Sequence, residues 1–449
     1  MSWKIKGEYT KDENVVKEHF GLSFAPITKS LLDTDLYKFS MGKTYHSQFG
    51  NVETVWDFKA RNVGEGKDLK PYTEKDVEEI KKQLKAYCAL RFDPDELVYL
   101  SSSSPWITRD YTHYLKKWHP EFDNITITGD PVTGIHIEFG GFQDDIEYYE
   151  IPVLEICAEV YYRNHFDYEK LLKEYKEKTL AKILEMKAKN PDGTMKYHFG
   201  AWSEFGARRR LSFEAQDWLI SVLAAEKKAD VINADGTHSN PAFAGFIGTS
   251  NVYLAKKYGV KPVGTCAHEF IETVGQGNPA FNPAYSNKFA MEAWVKEYKT
   301  ANGIWLTDTI GDELCRRDMT VDYATLFSGV RNDSGDPFVW GDNWIKHYES
   351  LKINPKTKTL LFSNAISSLE LWDKLCRYFE DRAIPAFGIG TYWSGPQTVT
   401  PLNIVAKVVL VNGMDVAKLS DDSGKTMSRS PEYVHYLKRT LDWRLQSGK

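Results

Sequence analysis

The sequence SGVRNDSGDP, residues 328–337, ends a strand-like apolar run and places a guanidinium, two carboxylates and two glycines there. Arg331 offers a rigid fork of donors to a carboxylate or phosphate, while Asp333 and Asp336 can accept from sugar hydroxyls or hold a hard cation. The same residues also favour a solvated turn, since Asn, Asp, Ser, Gly and Pro are turn formers. A ligand site is the better interpretation, because several other strand-like runs of this chain end in a similar loop.

Strand, loop and helix patterns alternate from residue 196 to about residue 400, which predicts parallel strands joined by helical crossovers. Strands are expected at residues 195–199, 242–247, 260–263, 304–306, 326–330, 359–362 and 384–387, with an eighth candidate at 403–410. Seven or eight such units favour an α/β barrel, in which the loops after the strands build one active site. A doubly wound open sheet is the alternative, and it too would bind its ligand at the strand ends.

The loops after these strands carry groups suited to anionic ligands. Residues 388–391, Gly-Ile-Gly-Thr, and residues 248–251, Gly-Thr-Ser-Asn, can turn backbone N–H groups toward a phosphate. Residues 208–210 are three consecutive arginines close to Phe205, although a solvated helix entry capped by Ser212 would account for one or two of them. Together these loops favour a sugar-phosphate ligand.

His268 follows another predicted strand, in the sequence GTCAHE at residues 264–269. A lone histidine is more often structural. In a ring of anion-binding loops, however, it could act as a general base, a hydrogen-bond donor to phosphate or a nucleophile that accepts a phosphoryl group. Cys266 has no neighbour spaced to lower the pKa of its thiol, and we interpret it as a small buried residue.

The first part of the chain predicts a smaller α+β unit. A helix is expected from Ser30 to about Phe49, with Asp33 or Thr34 as its N-cap. The other expected elements are an amphipathic helix at 73–90, a hairpin of strands 125–128 and 134–138, and helices at 154–164 and 168–189.

Composition narrows the class of protein. The 449 residues carry a net charge of -5, which argues against general affinity for nucleic acid or anionic membranes. Residues 1–12 lack the apolar segment of a signal peptide and no run of eighteen apolar residues occurs, so we expect a cytoplasmic protein without a membrane span. Five cysteines without a CxxC pair predict reduced thiols rather than a disulfide framework or a zinc site.

From about residue 31 to residue 426, the chain resembles the nicotinate phosphoribosyltransferases, a family of type II phosphoribosyltransferases. The motifs that carry the resemblance are LDTDLYK at 32–38, EFGARRR at 204–210, GTSN at 248–251, PVGTCAHE at 262–269, GVRNDSGDP at 329–337, FGIGT at 387–391, PLNIV at 401–405 and KLS at 418–420. Each motif is weak alone, but their order and spacing make the set specific.

The resemblance implies an ATP-coupled reaction of NAD salvage. The 5-phosphoribosyl group of 5-phosphoribosyl 1-pyrophosphate is transferred to nicotinate, giving nicotinate mononucleotide and pyrophosphate, with Mg²⁺ as cofactor and ATP as co-substrate. The implied fold is an irregular α/β barrel at residues 166–399, beside a smaller α+β domain at residues 1–165 that residues 400–449 complete. The implied working unit is a homodimer with shared active sites.

The resemblance also implies roles for individual residues. His268 would be phosphorylated by ATP, Asp333 would hold the ribose hydroxyls, and Arg331 and Arg208 would lie near the base or the pyrophosphate. Tyr37 would reach across the dimer, so that it and Phe205 sandwich the pyridine ring. The remaining substrate-binding residues would be Thr249, Ser250, Asp336, Asn364, Gly388, Gly390 and Thr391.

Two positions bear on specificity and on the metal. Nicotinamide-using relatives carry an aspartate in the loop of Ser250, which would repel a carboxylate, so the neutral serine favours nicotinate. Asn364 stands where many family members have aspartate, which puts a role for this residue as metal ligand in doubt. The alternatives are transfer to nicotinamide or quinolinate, a sugar-phosphate barrel isomerase or lyase, and a non-catalytic protein that binds 5-phosphoribosyl 1-pyrophosphate without turnover.

Overall fold

Two β-sheets form the framework of the computed structural model, which describes residues 25–278, 282–364, 366–420 and 426–447. One sheet has seven parallel strands and is curled into a half barrel, and the other has five antiparallel strands. The expected fold class, an irregular α/β barrel beside a smaller α+β domain, is confirmed. The exact domain boundaries stay a prediction.

In chain order the strands are β1 (Glu53–Ala60), β2 (Ile125–Thr128), β3 (His136–Phe142), β4 (Ala201–Glu204), β5 (Phe246–Thr249), β6 (Lys261–Pro262), β7 (Ile304–Leu306), β8 (Gly329–Asn332), β9 (Thr359–Phe362), β10 (Ile384–Ile389), β11 (Ile404–Val411) and β12 (Met414–Asp415). The parallel sheet has the order β6-β5-β4-β10-β9-β8-β7, and the antiparallel sheet has the order β12-β11-β1-β3-β2. Because β11 pairs with β1, a strand from late in the chain extends a sheet that begins near residue 53.

The α-helices span Leu36–Gln48, Glu74–Cys88, Pro94–Ser103, Arg109–Leu115, Gln143–Ile146, Glu150–His165, Tyr168–Met186, Phe213–Lys228, Pro241–Ala244, Val252–Tyr258, His268–Ile271, Ser286–Tyr298, Asp312–Asp318, Val321–Leu326, Pro337–Ser350, Leu369–Phe379, Thr391–Ser394 and Pro431–Ser447. A π-helical turn, Glu272–Gln276, follows His268–Ile271. None of the helices in the described ranges combines the length and the apolar character needed to cross a bilayer.

Several expected strand positions are wrong. Residues 195–199 form no strand, since β4 begins at residue 201. The runs expected at 242–247 and 326–330 each start in a helix, and the strands β5 and β8 begin at residues 246 and 329. These strands are only four residues long, and a short apolar run does not distinguish a strand from the end of a buried helix. The eighth candidate, 403–410, is a strand, but it belongs to the antiparallel sheet.

The elements of the smaller unit are close to expectation, with one exception. The hairpin of β2 and β3 and the helix Glu74–Cys88 are confirmed. The helix expected at 154–164 spans residues 150–165, and the helix expected at 168–189 ends at residue 186. The expected N-cap is wrong, because the helix Leu36–Gln48 follows Asp35, and the carboxylate of Asp33 binds an arginine instead.

Arg210 holds the segment before this helix against the half barrel. Its fully buried guanidinium makes two parallel hydrogen bonds to Asp33, at 2.7 and 3.0 Å, and lies 3.2 Å from Glu155 Oε2. Asn251 Nδ2 donates to the same Asp33 carboxylate at 2.7 Å. In addition, the backbone N–H of Leu36 donates to the carbonyl of Ser250 at 2.9 Å. The segment ahead of Tyr37 is therefore fixed on the loop after β5.

We predict that Arg210→Ala destabilises the protein by about 3–5 kcal/mol, because it leaves the carboxylates of Asp33 and Glu155 buried without their cation. Arg377→Ala is the control: Arg377 pairs with Asp373 at an exposed site, where such pairs contribute about 1 kcal/mol or less. Urea and thermal unfolding of both variants give the comparison. Equal effects of the two substitutions would contradict a structural role for the buried pair.

Candidate active site

A cavity of about 950 Å³ lies at the carboxyl ends of the parallel strands. Its walls combine loops that follow β4, β5, β6, β8, β9 and β10 with Val405 and Lys407 of β11. The cavity therefore lies between the two sheets, and the strand ends on one side are the usual ligand position in this fold class.

Most of the residues predicted from the sequence to serve a substrate line this cavity. They are Tyr37, Phe205, Arg208, Ser250, His268, Arg331, Asp333, Asn364, Gly388, Gly390 and Thr391. The fold thus brings together motifs that are far apart in the chain, although the contact of each residue with a substrate stays a prediction.

Thr249 and Asp336 are not among the cavity-lining residues. The hydroxyl of Thr249 donates to Glu204 Oε2 at 2.6 Å. Asp336 is the N-cap of the helix Pro337–Ser350, and its carboxylate accepts from two backbone N–H groups at 2.8 and 3.0 Å. Both side chains have structural partners, and their predicted roles in substrate binding stay predictions.

The aromatic pair that was expected to sandwich a pyridine ring lies in one chain. Tyr37 was expected to enter the site of a dimer partner, but here it lines the same cavity as Phe205. Gly388 permits the position of Phe205, because a Cβ atom on Gly388 would come within 2.5 Å of two carbons of the phenyl ring. That Tyr37 also reaches the site of a dimer partner stays a prediction.

Cationic side chains outnumber carboxylates in the described lining of the cavity. The carboxylates are Asp35 and Asp333, and the cationic residues are Arg61, Lys182, Arg208, Arg209, Arg331, Lys407 and Lys418. Burial, together with the neighbouring cations Arg208 and Arg61, lowers the pKa of Arg209 to about 10. A ligand with several negative charges would relieve this repulsion, so the cavity suits phosphorylated substrates.

His268 sits in a network with two aspartates and a lysine. Its Nε2 lies 2.9 Å from Asp308 Oδ1 and 3.5 Å from Asp333 Oδ2. Lys418 Nζ lies 3.4 Å from Asp308 and 3.8 Å from Asp333. Burial and the charge of Lys418 lower the pKa of His268 to about 4, although Asp308 acts in the opposite direction. The imidazole is therefore neutral at pH 7.

Asp308 is ionised in this network. Burial alone would raise the pKa of its carboxyl, but His268 and Lys418 hold that pKa well below its ordinary value. The hydroxyl of Ser334 donates to Asp308 Oδ2 at 2.7 Å. With Nε2 of His268 donating to this carboxylate, the imidazole keeps its lone pair on Nδ1, so Nδ1 is the nucleophilic atom.

The charges of this network limit where a divalent cation could bind. Ligand atoms of His268, Asp308 and Asp333 lie within 4.8 Å of one another. Lys418, however, already supplies a positive charge beside both carboxylates, and a cation bound by both would be repelled. A cation held by the partly exposed Asp333, with phosphate oxygens and water as its other ligands, fits the coordination that Mg²⁺ prefers.

Arg331 is fixed beside Asp333. Its Nη1 donates to Thr265 Oγ1 at 2.6 Å and to the carbonyl of Cys266 at 3.1 Å, and its Nη2 lies 3.8 Å from Asp333 Oδ1. Asn364 also lines the cavity, and its Nδ2 donates to the carbonyl of Gly335 at 3.2 Å. Burial raises the pKa of the Cys266 thiol to about 11, which agrees with the interpretation of this residue as structural.

Sequence reasoning did not single out five residues of this site: Arg61, Lys182, Asp308, Lys407 and Lys418. Asp308 had a signal, since it follows the short strand β7, but a single carboxylate there is common. Lys418 was visible only as part of a family motif. Arg61, Lys182 and Lys407 lie outside any loop that follows a parallel strand, so nothing in their neighbourhoods marked them.

A second group of buried charges lies behind the cavity. Lys38 Nζ lies 2.5 Å from Glu269, 2.7 Å from Glu150 and 3.5 Å from Glu147. Glu272 is buried nearby, and neither of its carboxylate oxygens has a hydrogen-bond partner among the described residues. Burial raises the pKa of Glu272 to about 8, against the opposing charge of Lys407. This carboxyl is therefore mostly protonated at pH 7.

Comparison with known proteins gives the same relatives for both parts of the chain. The model of the nicotinate phosphoribosyltransferase (NAPRTase) family matches residues 201–445, and that of the NAPRTase N-terminal domain matches residues 32–158. The nicotinate phosphoribosyltransferase of Neisseria meningitidis serogroup C is 37% identical over 423 residues, covering 93% of this chain and 98% of its own length. That of Acinetobacter baylyi is 38% identical over 421 residues, covering 94% and 98%.

Solved structures that resemble this chain come from the same family as its sequence relatives. The nicotinate phosphoribosyltransferase of Porphyromonas gingivalis superposes with a TM-score of 0.78 at 28% identity, covering 92% of this chain and 99% of its own. A putative nicotinate phosphoribosyltransferase of Saccharomyces cerevisiae gives 0.79 at 29% identity, covering 94% and 99%. Residues 159–200 fall between the ranges that the two family models match.

Glu272 gives the protein a pH-dependent stability. Its pKa of about 8 in the folded protein lies above that of an unfolded glutamate, so its contribution to stability is full below about pH 4.5 and is lost as the pH rises through 8. We predict that Glu272→Gln reduces the fall in the free energy of unfolding between pH 6 and pH 9. Urea titrations at several pH values measure the free energy of unfolding, and Glu177→Gln at an exposed position is the control. If the free energy of unfolding fell with pH as steeply in both variants as in the wild type, the prediction would be wrong.

Proposed function

The chain belongs to the nicotinate phosphoribosyltransferase family, and on that premise we propose that it forms nicotinate mononucleotide and pyrophosphate from nicotinate and 5-phosphoribosyl 1-pyrophosphate. The observation that carries the proposal is one cavity lined by an aromatic pair, an excess of cations and the network of His268 and Asp333. A pyridine ring, a ribose and several phosphates need these three kinds of contact.

Nicotinate would bind with its ring between Tyr37 and Phe205. Its carboxylate would be recognised by the guanidinium of Arg208, with the neutral side chain of Ser250 beside it. Such placement matters because the ring nitrogen already has a lone pair and needs no base to activate it. Holding that nitrogen against the anomeric carbon supplies much of the rate enhancement.

The chemical step replaces one bond at the anomeric carbon by another. The bond from this carbon to pyrophosphate breaks with its electron pair on the pyrophosphate, and the bond to the ring nitrogen forms. Asp333 would accept from the ribose hydroxyls, while Arg331 and Lys418 would stabilise the charge that develops on the leaving group. Mg²⁺, held by Asp333 and phosphate oxygens, would neutralise part of that charge.

ATP coupling would proceed through His268. The neutral imidazole, oriented by the hydrogen bond between Nε2 and Asp308, would attack the γ-phosphorus of ATP with Nδ1 and release ADP. Water would later cleave the phosphohistidine to phosphate. The positive charge of the phosphorylated ring would be balanced by Asp308, whose pKa is held low.

Nicotinamide is the second candidate acceptor, and Asp35 is the observation that favours it. This carboxyl lines the cavity beside Ser250 and could accept from an amide NH₂ group. Burial raises the pKa of Asp35, although Arg208 opposes the shift. Arg208 acts on Asp35 as a neighbouring positive charge and could also bind the carboxylate of nicotinate, which is why nicotinate remains the proposed acceptor. A homodimer, the other expectation from the family, remains a proposal that sedimentation would test.

Activity with three acceptors tests the proposal. We expect pyrophosphate release and mononucleotide formation with nicotinate, and little with nicotinamide or quinolinate, measured by chromatography in the presence of Mg²⁺. Asp333→Asn should lower kcat roughly 100-fold because it removes a charge beside the anomeric carbon, whereas Asp342→Asn on the surface should not. A preference for nicotinamide would assign recognition of the acceptor to Asp35. The absence of pyrophosphate release would refute the proposed transferase activity.

Labelling with ATP that carries a radioactive γ-phosphate tests the role of His268. We expect acid-labile label on the wild type, none on His268→Ala, and wild-type labelling of His347→Ala, whose histidine binds the Met319 carbonyl on an outer helix. Because the pKa of His268 is about 4, labelling should vary little between pH 6 and pH 8 and fall only as the imidazole is protonated at lower pH. Mononucleotide formation without any label would reduce His268 to a binding residue.

A further inference from the structure

Lys182 enters the cavity from the helix Tyr168–Met186, in the stretch that neither family model matches. Its ammonium donates to the backbone carbonyl of Tyr392 at 2.6 Å and to Gln397 Oε1, and it lies 3.8 Å from the centre of the Tyr392 ring. Tyr392 directly follows the loop at residues 388–391. Lys182 is thus attached to the loop that would hold a phosphate.

We propose that Lys182 binds the 5-phosphate of the phosphoribosyl substrate, together with the backbone of residues 388–391. The assignment rests on the proposed function, since that function supplies the phosphorylated ribose. It adds to the site a cation from a helix that the sequence motifs do not include.

Lys182 has a hydrogen-bond donor left for this phosphate. An ammonium group has three N–H donors, and the hydrogen bonds of Lys182 within the described ranges use two of them, on Tyr392 and Gln397, beside its contact with the Tyr392 ring. Lys182 lines the cavity together with Gly388, Gly390 and Thr391. The third N–H is therefore available to an oxygen of a phosphate bound at that loop.

The charge environment also points to an anionic ligand. Other cavity lysines have carboxylates at hand: Lys418 lies beside Asp308 and Asp333. Lys182 forms no ion pair in the part of the chain that the structure describes, and burial lowers its pKa to about 8. A partly buried cation without a counter-ion loses hydration without compensation, and a dianionic phosphate would supply the missing charge and raise the pKa of Lys182.

Lys178 provides a matched control on the same helix. It lies one turn before Lys182 and lines a neighbouring pocket of about 420 Å³, but it is not among the residues that line the main cavity. Lys182 lines both. A general effect of removing a positive charge from this helix would appear in both variants, whereas loss of a phosphate contact would appear only at Lys182.

Equilibrium binding without an acceptor tests the proposal. Calorimetry would measure the affinity of the full-length wild type, Lys182→Met, Lys182→Arg and Lys178→Met for 5-phosphoribosyl 1-pyrophosphate and for inorganic pyrophosphate. We expect Lys182→Met to weaken binding of the sugar phosphate at least tenfold and to leave binding of pyrophosphate within twofold. The affinity of Lys182→Arg, which keeps the charge, should stay within about threefold of the wild-type affinity. The affinity of Lys178→Met should equal that of the wild type.

Two results would overturn the inference. One is sugar-phosphate affinity within twofold of the wild type in Lys182→Met. The other is an equal loss for pyrophosphate, which would mean that the cavity as a whole had changed. If Lys182→Met does not fold, the arginine variant decides, because a tenfold loss there would contradict a contact that depends on charge.

Turnover separates this inference from the proposed function. A wild type that makes nicotinate mononucleotide, with unchanged binding in Lys182→Met, refutes the role of Lys182 alone. A wild type that binds 5-phosphoribosyl 1-pyrophosphate, with weakened binding in Lys182→Met but no transfer to nicotinate, keeps Lys182 and refutes the acceptor. A wild type that does not bind the sugar phosphate refutes both.

Discussion

The buried pair of Arg210 and Asp33 is the interaction on which the site depends. It joins the segment ahead of Tyr37 to the loop after β4, and Asn251 connects the same carboxylate to the loop after β5. The three residues are buried, so the pairing operates at low dielectric, where removing one partner leaves an uncompensated charge. Through this contact, one chain supplies both Tyr37 and Phe205 to one cavity.

Charge is distributed unevenly around that cavity, and this uneven distribution suits the proposed substrates. The lining carries more cations than carboxylates, while buried glutamates surround Lys38 behind it. Burial lowers the pKa values of Arg209 and Lys182, and the charges of Arg208 and Arg61 lower that of Arg209 further. Phosphate groups of the proposed substrates would stabilise these two cations on binding.

The residues proposed to contact a substrate and the residues that position them differ in how well a sequence reveals them. Arg331 lies near the end of β8, Asp333 directly follows β8, and His268 begins the helix after β6; the barrel pattern groups such positions. Asp308 orients His268 and could be found only by distance, since a carboxylate after a strand is common. Lys182 belongs to a charged amphipathic helix whose pattern predicts a solvated face, and only the packing of that helix shows one lysine reaching the cavity.

The sequence by itself determined the alternation of strands and helices, the fold class, the family and eleven of the residues that line the cavity, because these follow from local patterns and from motifs in a fixed order. It misplaced β4, β5 and β8, since four-residue strands resemble the ends of buried helices. The tertiary structure alone decided that Asp33 binds Arg210 instead of capping a helix, that Thr249 and Asp336 are not among the cavity-lining residues, and that Tyr37 lines the same cavity as Phe205. These outcomes depend on contacts between residues distant in sequence, which local periodicity does not encode.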